Sequence, residues 1–327
     1  KNSGLNDDFW KVEAQVLTSV MKDTDSEKNN YDKAVSDLFT EKKSKKYAEK
    51  TSSVTSLGNF QPTDEGEKAP LDDIQQGFSK LIEHTPSMKG FVCTREMKDD
   101  GDIDVMKLAA ENMVRSYKRT RAQFASDALT SETDYFMYGK KKLDRTTGDG
   151  KALFATDHPG VRDGVAVQSN VFTNKFGQDT VMLNRLANIG RNFKNDSGNV
   201  QGYTFDTIII PSNVPELEDF IKRVIRSELI VGSNNNDVNT QKGLWNLIVD
   251  PMWQVTDESE PYILMSSQAN KELMGSVFYD RVPLDVVNYV DNETRNLCWN
   301  GYCRFSAGFR NWRHVILGGA KTGTTLT

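Results

Sequence analysis

The chain has 327 residues, with 46 acidic against 41 basic side chains and a formal net charge of −5. Hydrophobic residues make up 37% and charged residues 27%, enough apolar material for two or more packed units under a polar surface. The acidic balance argues against sequence-specific DNA binding, which needs a basic footprint, and no run of 18 apolar residues offers a membrane span.

Three scattered cysteines, Cys93, Cys298 and Cys303, argue against a disulfide framework and for unpaired thiols in a reducing compartment. The opening Lys1–Asp8 lacks the apolar core of a signal peptide. It has no initiator Met, which fits either a removed N-terminal segment or an ordered region that begins late.

Residues 1–50 read as helical and charged. Phe9, Val12, Val16 and Val20 form a short apolar stripe, and Tyr31, Val35, Leu38 and Phe39 a weaker one. The basic run Glu41–Lys50 reads as a solvated face or linker. The segment is expected to be an arm that needs a partner for its apolar side.

Residues 51–70 carry few large apolar side chains and four breakers, Gly58, Pro62, Gly66 and Pro70, around an acidic tip, Asp64-Glu-Gly-Glu67. This predicts a long two-stranded excursion with a polar end. Leu71, Ile74, Phe78, Leu81 and Ile82 then suggest a short helix stopped before Pro86. An isolated ribbon is marginal in water, so the excursion is expected to pack on something outside its own core.

The strongest element is a helix over 102–129, with Met106, Ala110, Met113, Tyr117, Phe124 and Ala128 on one stripe. Asp100 or Asp102 is expected to cap it. Arg115, Lys118, Arg119 and Arg121 favour the dipole of its C-terminal half and read as a solvated basic face. Residues 139–177 are glycine-rich loops. A helix is expected over 178–193, with Leu183, Leu186, Ile189 and Phe193 inward, and a buried strand over Thr204–Ile210. A helix capped near Ser212 should run to about Leu229, followed by an exposed loop, Gly232–Asn239. Short strands follow at Leu247–Val249, Tyr262–Leu264, Leu284–Val290 and Trp312–Leu317. This order, without repeats or βα alternation, is α+β.

Little of this is catalytic chemistry. The three histidines, His84, His158 and His314, lie far apart, with no second ligand at metal spacing. Asp157 and His158 offer the one acid–base pair, but Asp-His-Pro is also good turn chemistry. Gly318–Gly323 misses the phosphate-loop pattern, because Lys321 precedes the last glycine, and reads as a flexible tail. Trp299, Tyr302, Phe305, Phe309 and Trp312 beside Arg304, Arg310 and Arg313 read as a small-sheet core with arginines reaching outward, rather than as a base-stacking platform.

Several segments together resemble a family. Glu65-Gly-Glu67, Phe91-Val-Cys-Thr-Arg-Glu-Met97, Leu153-Phe-Ala-Thr-Asp-His-Pro159, Ser169-Asn170, Ile208-Ile-Ile-Pro211 and Arg304-Phe-Ser-Ala-Gly-Phe-Arg-Asn-Trp-Arg313 occur in the order found in tailed-phage major capsid proteins of the HK97-like fold, especially the Mu-like major head type. The resemblance spans roughly residues 55–320 and is carried by the order of motifs that are individually weak. It implies an N-arm over 1–50, an E-loop over 51–90 that lies on a neighbouring subunit, and a P-domain over 91–149 with its spine helix at 102–129. Residues 150–265 would be mainly A-domain, and 266–327 would return through P-domain strands to the A-domain and a C-terminal tail. It also implies a homo-oligomer of hexamers and pentamers around double-stranded DNA, which is contacted only non-specifically.

Portal, scaffold, maturation protease and decoration protein are the other partners implied, in a virion assembled in the bacterial cytoplasm. A maturation protease that removes an N-terminal segment would explain a start at Lys1. No cofactor, metal or membrane contact is expected. The candidate inter-subunit contacts are Phe60, Asp64, Glu65 and Glu67 on the excursion and Arg115 and Arg119 on the long helix. The alternatives are an enzyme centred on Asp157 and His158, and a nucleic-acid binder using Lys42–Lys50 and the C-terminal aromatic cluster.

Overall fold

A computed structural model describes residues 8–178, 181–233 and 235–327. The start of the expected arm, positions 179 and 180 of the expected 178–193 helix, and Asn234 lie outside the described residues. The chain divides into two compact units. The first comprises residues 1–48, 83–125 and 278–307, and the second residues 49–82, 126–277 and 308–327.

In the first unit a four-stranded sheet has the order β1 (Thr40–Lys43), β10 (Ser276–Val290), β11 (Leu297–Phe309), β4 (Thr85–Cys93). β4 and β11 are antiparallel, with Cys93 opposite Leu297 and Thr85 opposite Phe305. Strand alternation turns Cys93, Leu297 and Trp299 toward the helices. There they meet Met106, Ala110, Met113 and Val114 of α4 (Ile103–Thr130), which follows the short α3 (Arg95–Asp99), and Leu17 and Met21 of α1 (Lys11–Ser26). Farther along, Phe124 packs edge-on against Phe278 and Phe305 at 6.1 and 5.0 Å between ring centres.

The arm therefore buries its apolar side within its own chain, not only against a partner. Its buried stripe is Trp10, Leu17 and Met21, while Phe9 and Val12 face solvent. The second stripe holds better. α2 (Asn30–Leu38) opens with a reciprocal Asn29–Asp32 capping box and buries Val35 and Leu38. The basic run after it is not helical, because β1 and β2 (Ala48–Val54) occupy its ends.

The long helix forms as its periodicity predicts. The reading of its cations as a solvated face fails for two of the four. Lys118 and Arg121 are buried, whereas Arg115 and Arg119 are exposed. Arg121 donates in a fork to Asp280, at 3.2 Å from Nε and 2.7 Å from Nη2, and also reaches Glu41. Its guanidinium lies over the Phe278 ring. Lys118 bonds Asp32 at 2.9 Å and the Glu27 carbonyl. A cation drawn this far from water is held by paired carboxylates. Lysine and arginine stems also fill apolar space, so a helical wheel alone places them on the wrong side.

The second unit is built on a sheet of order β12 (Val315–Gly318), β9 (Tyr262–Met265), β7 (Thr207–Pro211), β8 (Asn246–Asp250). β7 is parallel to β8 and antiparallel to β9. Ile208, Ile209 and Ile210 are all buried, as expected of a central strand covered on both faces. α5 (Met182–Arg191) buries Leu183 and Leu186, and α6 (Pro215–Arg226) buries Leu217, Ile221 and Ile225. Pro215 sits in the first turn of α6, as predicted. Ser212 does not cap this helix; its hydroxyl donates to the Pro251 and Trp253 carbonyls.

Two further expectations are corrected in this unit, and one strand pair is added. Residues 71–82 are not a helix. Residues 71–75 are irregular, and β3 (Gln76–Glu83) pairs with β2. An added Cβ at Gly77 would come within 2.3 Å of Ser53 Oγ, so glycine there permits close strand approach. The end of the chain is not free: Thr324 bridges Phe172, Leu326 N bonds Asn174, and Lys321 pairs with Asp257. A short strand pair, β5 (Tyr135–Tyr138) and β6 (Lys141–Asp144), follows α4 unannounced by its sequence. Behind it the buried Arg145 guanidinium donates to the Ala128, Leu129 and Thr133 carbonyls, so a cation satisfies the open C-terminal end of α4.

Arg121→Ala would leave the half-buried Asp280 without its cation, and equilibrium unfolding should show a loss of about 2–4 kcal/mol. Asp250 is a contrasting case: it is buried, and one carboxylate oxygen has no hydrogen-bond partner. Burial pushes its pKa up from 3.8 to about 6. Ionisation therefore destabilises the fold. The favourable contribution is full below about pH 4 and is lost as pH rises through 6. Asp250→Asn should raise stability at pH 7 by about 1–3 kcal/mol and remove that pH dependence, measured by denaturant unfolding of unassembled subunits from pH 4 to 8.

Candidate assembly surfaces

The catalytic pair that the alternative reading needs does not form. Asp157 is at the surface and pairs with Lys151. His158 is fully buried, and its Nδ1 meets Asp149 at 2.7 Å. Its Nε2 lies near the Leu153 carbonyl and Asn170 Oδ1, and its ring stacks on Trp312 at 4.3 Å. Asn170 completes the knot by donating to the Leu153, Trp312 and Val315 carbonyls. Burial opposes ionisation of Asp149, but hydrogen bonds from His158, Thr147 and the Lys151 amide outweigh it, holding the carboxyl below its usual range. An imidazole sealed this way holds loops together and offers no route to a substrate. Among the described residues, no group of three or more His, Cys, Asp or Glu side chains could hold a metal ion.

The base-stacking reading fails too. Trp299, Phe305, Phe309 and Trp312 are buried in cores. Arg313 does not reach outward either: it is buried and paired with Asp196 at 3.0 Å. The lysines of Lys42–Lys50 lie exposed on and between β1 and β2.

What the surface does offer is unpartnered apolar area. The ribbon of β2 and β3 projects an irregular excursion between Thr55 and Gln75, tied at its root by a Thr55 amide to Gln75 carbonyl bond. Gly58 N bonds the Asp72 carboxylate across it. On either side of that bond Leu57, Phe60, Leu71 and Ile74 are all exposed, Phe60 completely. At the tip, Glu67 N bonds the Asp64 carbonyl, Glu67 Oε2 accepts from Asp64 N, and Gly66 takes a φ of +84°. That φ belongs to the third position of a tight turn, where glycine avoids strain. Asp64, Glu65 and Glu67 therefore share one preformed turn, and all are exposed.

Arg115 and Arg119 stand four residues apart on the exposed face of α4, Arg115 paired with Glu111. They belong to the first unit and the tip to the second. One surface escaped the sequence reading. On the sheet face turned away from α4, Met88 and Val92 of β4 and Val287 and Tyr289 of β10 are exposed. The alternation of β4 and β10 carried the signal, but nothing in it told which face was inward. Exposed apolar side chains on a sheet face are a feature of protein-contact surfaces.

A family model described as phage capsid protein matches residues 89–317, well over half of the chain. No curated protein is similar to it in sequence. In three dimensions it is similar to the capsid of a native GTA particle, with a TM-score of 0.56, 9% identity and 92% of each chain covered. It is similar to a structure of Mycobacterium phage Patience at a TM-score of 0.55 and 11% identity, covering 97% of this chain and 88% of the other. A structure of Microbacterium phage Oxtober96 gives 0.52 and 10%, with 87% and 90% covered. The sealed histidine, the unpartnered ribbon and these likenesses agree: the chain belongs to the phage capsid protein family and has the HK97-like fold of phage capsid subunits.

Proposed function

We propose that the chain assembles into hexamers and pentamers of a phage head enclosing double-stranded DNA, with the ribbon as its main reach onto a neighbouring subunit. The observation that carries this reading is the excursion between Thr55 and Gln75, which exposes Leu57, Phe60, Leu71 and Ile74 and has no core of its own. The exposed Met88, Val92, Val287 and Tyr289 face is the surface that a neighbour's ribbon would cover. Burying four large side chains contributes on the order of 6 kcal/mol per contact, repeated around every ring.

On this reading the ribbon is the E-loop, and the first unit holds the N-arm and the P-domain with α4 as spine. The sheet of β12, β9, β7 and β8 is the A-domain. Phe60, Asp64, Glu65, Glu67, Arg115 and Arg119 are inter-subunit contacts. The protein performs no catalysis. Portal, scaffold, maturation protease and decoration protein are its further partners, and assembly takes place in the bacterial cytoplasm. DNA contact is non-specific, consistent with the net charge of −5. The affinity to the Mu-like head type rests on sequence motifs alone.

Deleting Gly58–Pro70 should leave a folded subunit with an unchanged thermal midpoint that no longer yields stable shells in electron micrographs; normal particles from this deletion would overturn the role given to the ribbon. His158→Ala separates a structural from a catalytic histidine. It should cost about 2–4 kcal/mol of subunit stability through the lost Trp312 stack and the unpaired Asp149. Unchanged stability with loss of a measurable hydrolytic activity would favour an enzyme.

A further inference from the structure

The root of the ribbon carries a polar cavity of about 150 Å³, walled by Thr51, Ser53, Lys80, Asp196, Arg310 and Arg313 among others. Most charges around it are already satisfied. Lys80 pairs with Asp144 at 2.6 Å, and Arg313 with Asp196 at 3.0 Å. Asp149, also in the wall, accepts from His158, Thr147 and the Lys151 amide. Arg310 is the exception. Its guanidinium meets only the Met274 sulfur, at 2.7 Å. A thioether is a weak acceptor, and among the described residues no carboxylate lies within ion-pairing distance of Arg310. A half-buried guanidinium with empty polar space beside it is a seat for one carboxylate.

The same ribbon offers that carboxylate at its other end. Glu65 stands at the apex of the 64–67 turn, exposed and, among the described residues, without a polar partner, while Glu67 is folded back onto the Asp64 amide. Within one chain Glu65 and Arg310 do not pair. We propose that Glu65 of one copy seats in the Arg310 cavity of the next, so that the tip of each ribbon locks onto the root of its neighbour's. A tip-to-root contact joins two different patches and is therefore head-to-tail, and head-to-tail contacts that close make rings. The arrangement rests on the reading of the chain as a capsomer subunit and specifies which side chains close the ring. It also explains why a tip of three carboxylates is tolerated beside Phe60: the acid gives register and the apolar side chains give area.

The test uses assembled full-length particles. The native thiols are all buried, so Glu65→Cys combined with Ser53→Cys, oxidised in assembled particles, should produce a covalent ladder of subunits on a denaturing gel, with neither single variant doing so. Separately, Glu65→Arg and Arg310→Glu should each lower the yield of capsomers at least about tenfold, as expected for a close interfacial charge pair. The two together should restore it. Glu65 is exposed on a turn, so its variant folds whatever becomes of Arg310→Glu, and the ladder does not depend on either charge reversal. Normal particles with no ladder, or a double variant no better than the singles, would overturn the pairing while leaving the shell reading intact. A solution anion in the cavity would also leave the ladder absent. A wild-type protein that forms no capsomers under any condition would overturn the shell reading itself.

Discussion

Residues 48–83 make a ribbon of two paired strands with no third layer of its own to cover them. Backbone pairing alone leaves such a ribbon marginal in water, and the excursion it projects exposes four large apolar side chains. The rest of the molecule is arranged around that constraint. The ribbon is anchored at its root, where Lys80 reaches Asp144 and Thr146, and Arg162 donates to the Asp73 carbonyl. Its tip stays exposed. On the proposed reading, a subunit built this way gains part of its stability from assembly, so that stability and shell formation become one equilibrium.

The two packed units are built differently, and each has its own means of being rigid. The first depends on a helix laid along a sheet, pinned by Arg121 and Lys118 to carboxylates from three other segments, Asp280, Glu41 and Asp32. The second depends on buried polar knots in long irregular segments. Asn170 ties three carbonyls together, His158 fills the space beside Trp312, and Arg145 closes the end of α4. Long loops without periodic hydrogen bonding have to satisfy their backbone groups some other way, and side-chain amides, imidazole and guanidinium do so here. The motif Leu153–Pro159 that looked like half an active site is one of these knots.

Much of the architecture was legible along the chain because it is local. The α4 stripe, the continuous isoleucines of β7, the proline that opens α6 and the breakers around the ribbon tip are patterns of period and punctuation. The family order of motifs was legible for the same reason. What failed was partner choice. Leu71–Ile82 has helical spacing, yet pairing with Ala48–Val54 made part of it a strand, since tertiary context overrides a weak local pattern. Asp157 is adjacent to His158 in sequence, but the loop turns the imidazole toward Asp149 instead.

By itself the sequence determined the class of fold, the long helix, and the coreless ribbon with its acidic tip, all properties of spacing and composition. Only the tertiary structure decided which cations were buried, which sheet face remained apolar and exposed, and that among the described residues Arg310 is the cation of its cavity without a carboxylate partner. Burial and charge pairing are relations between segments hundreds of residues apart, and their energies depend on distance and on exclusion of water, neither of which is written in local order.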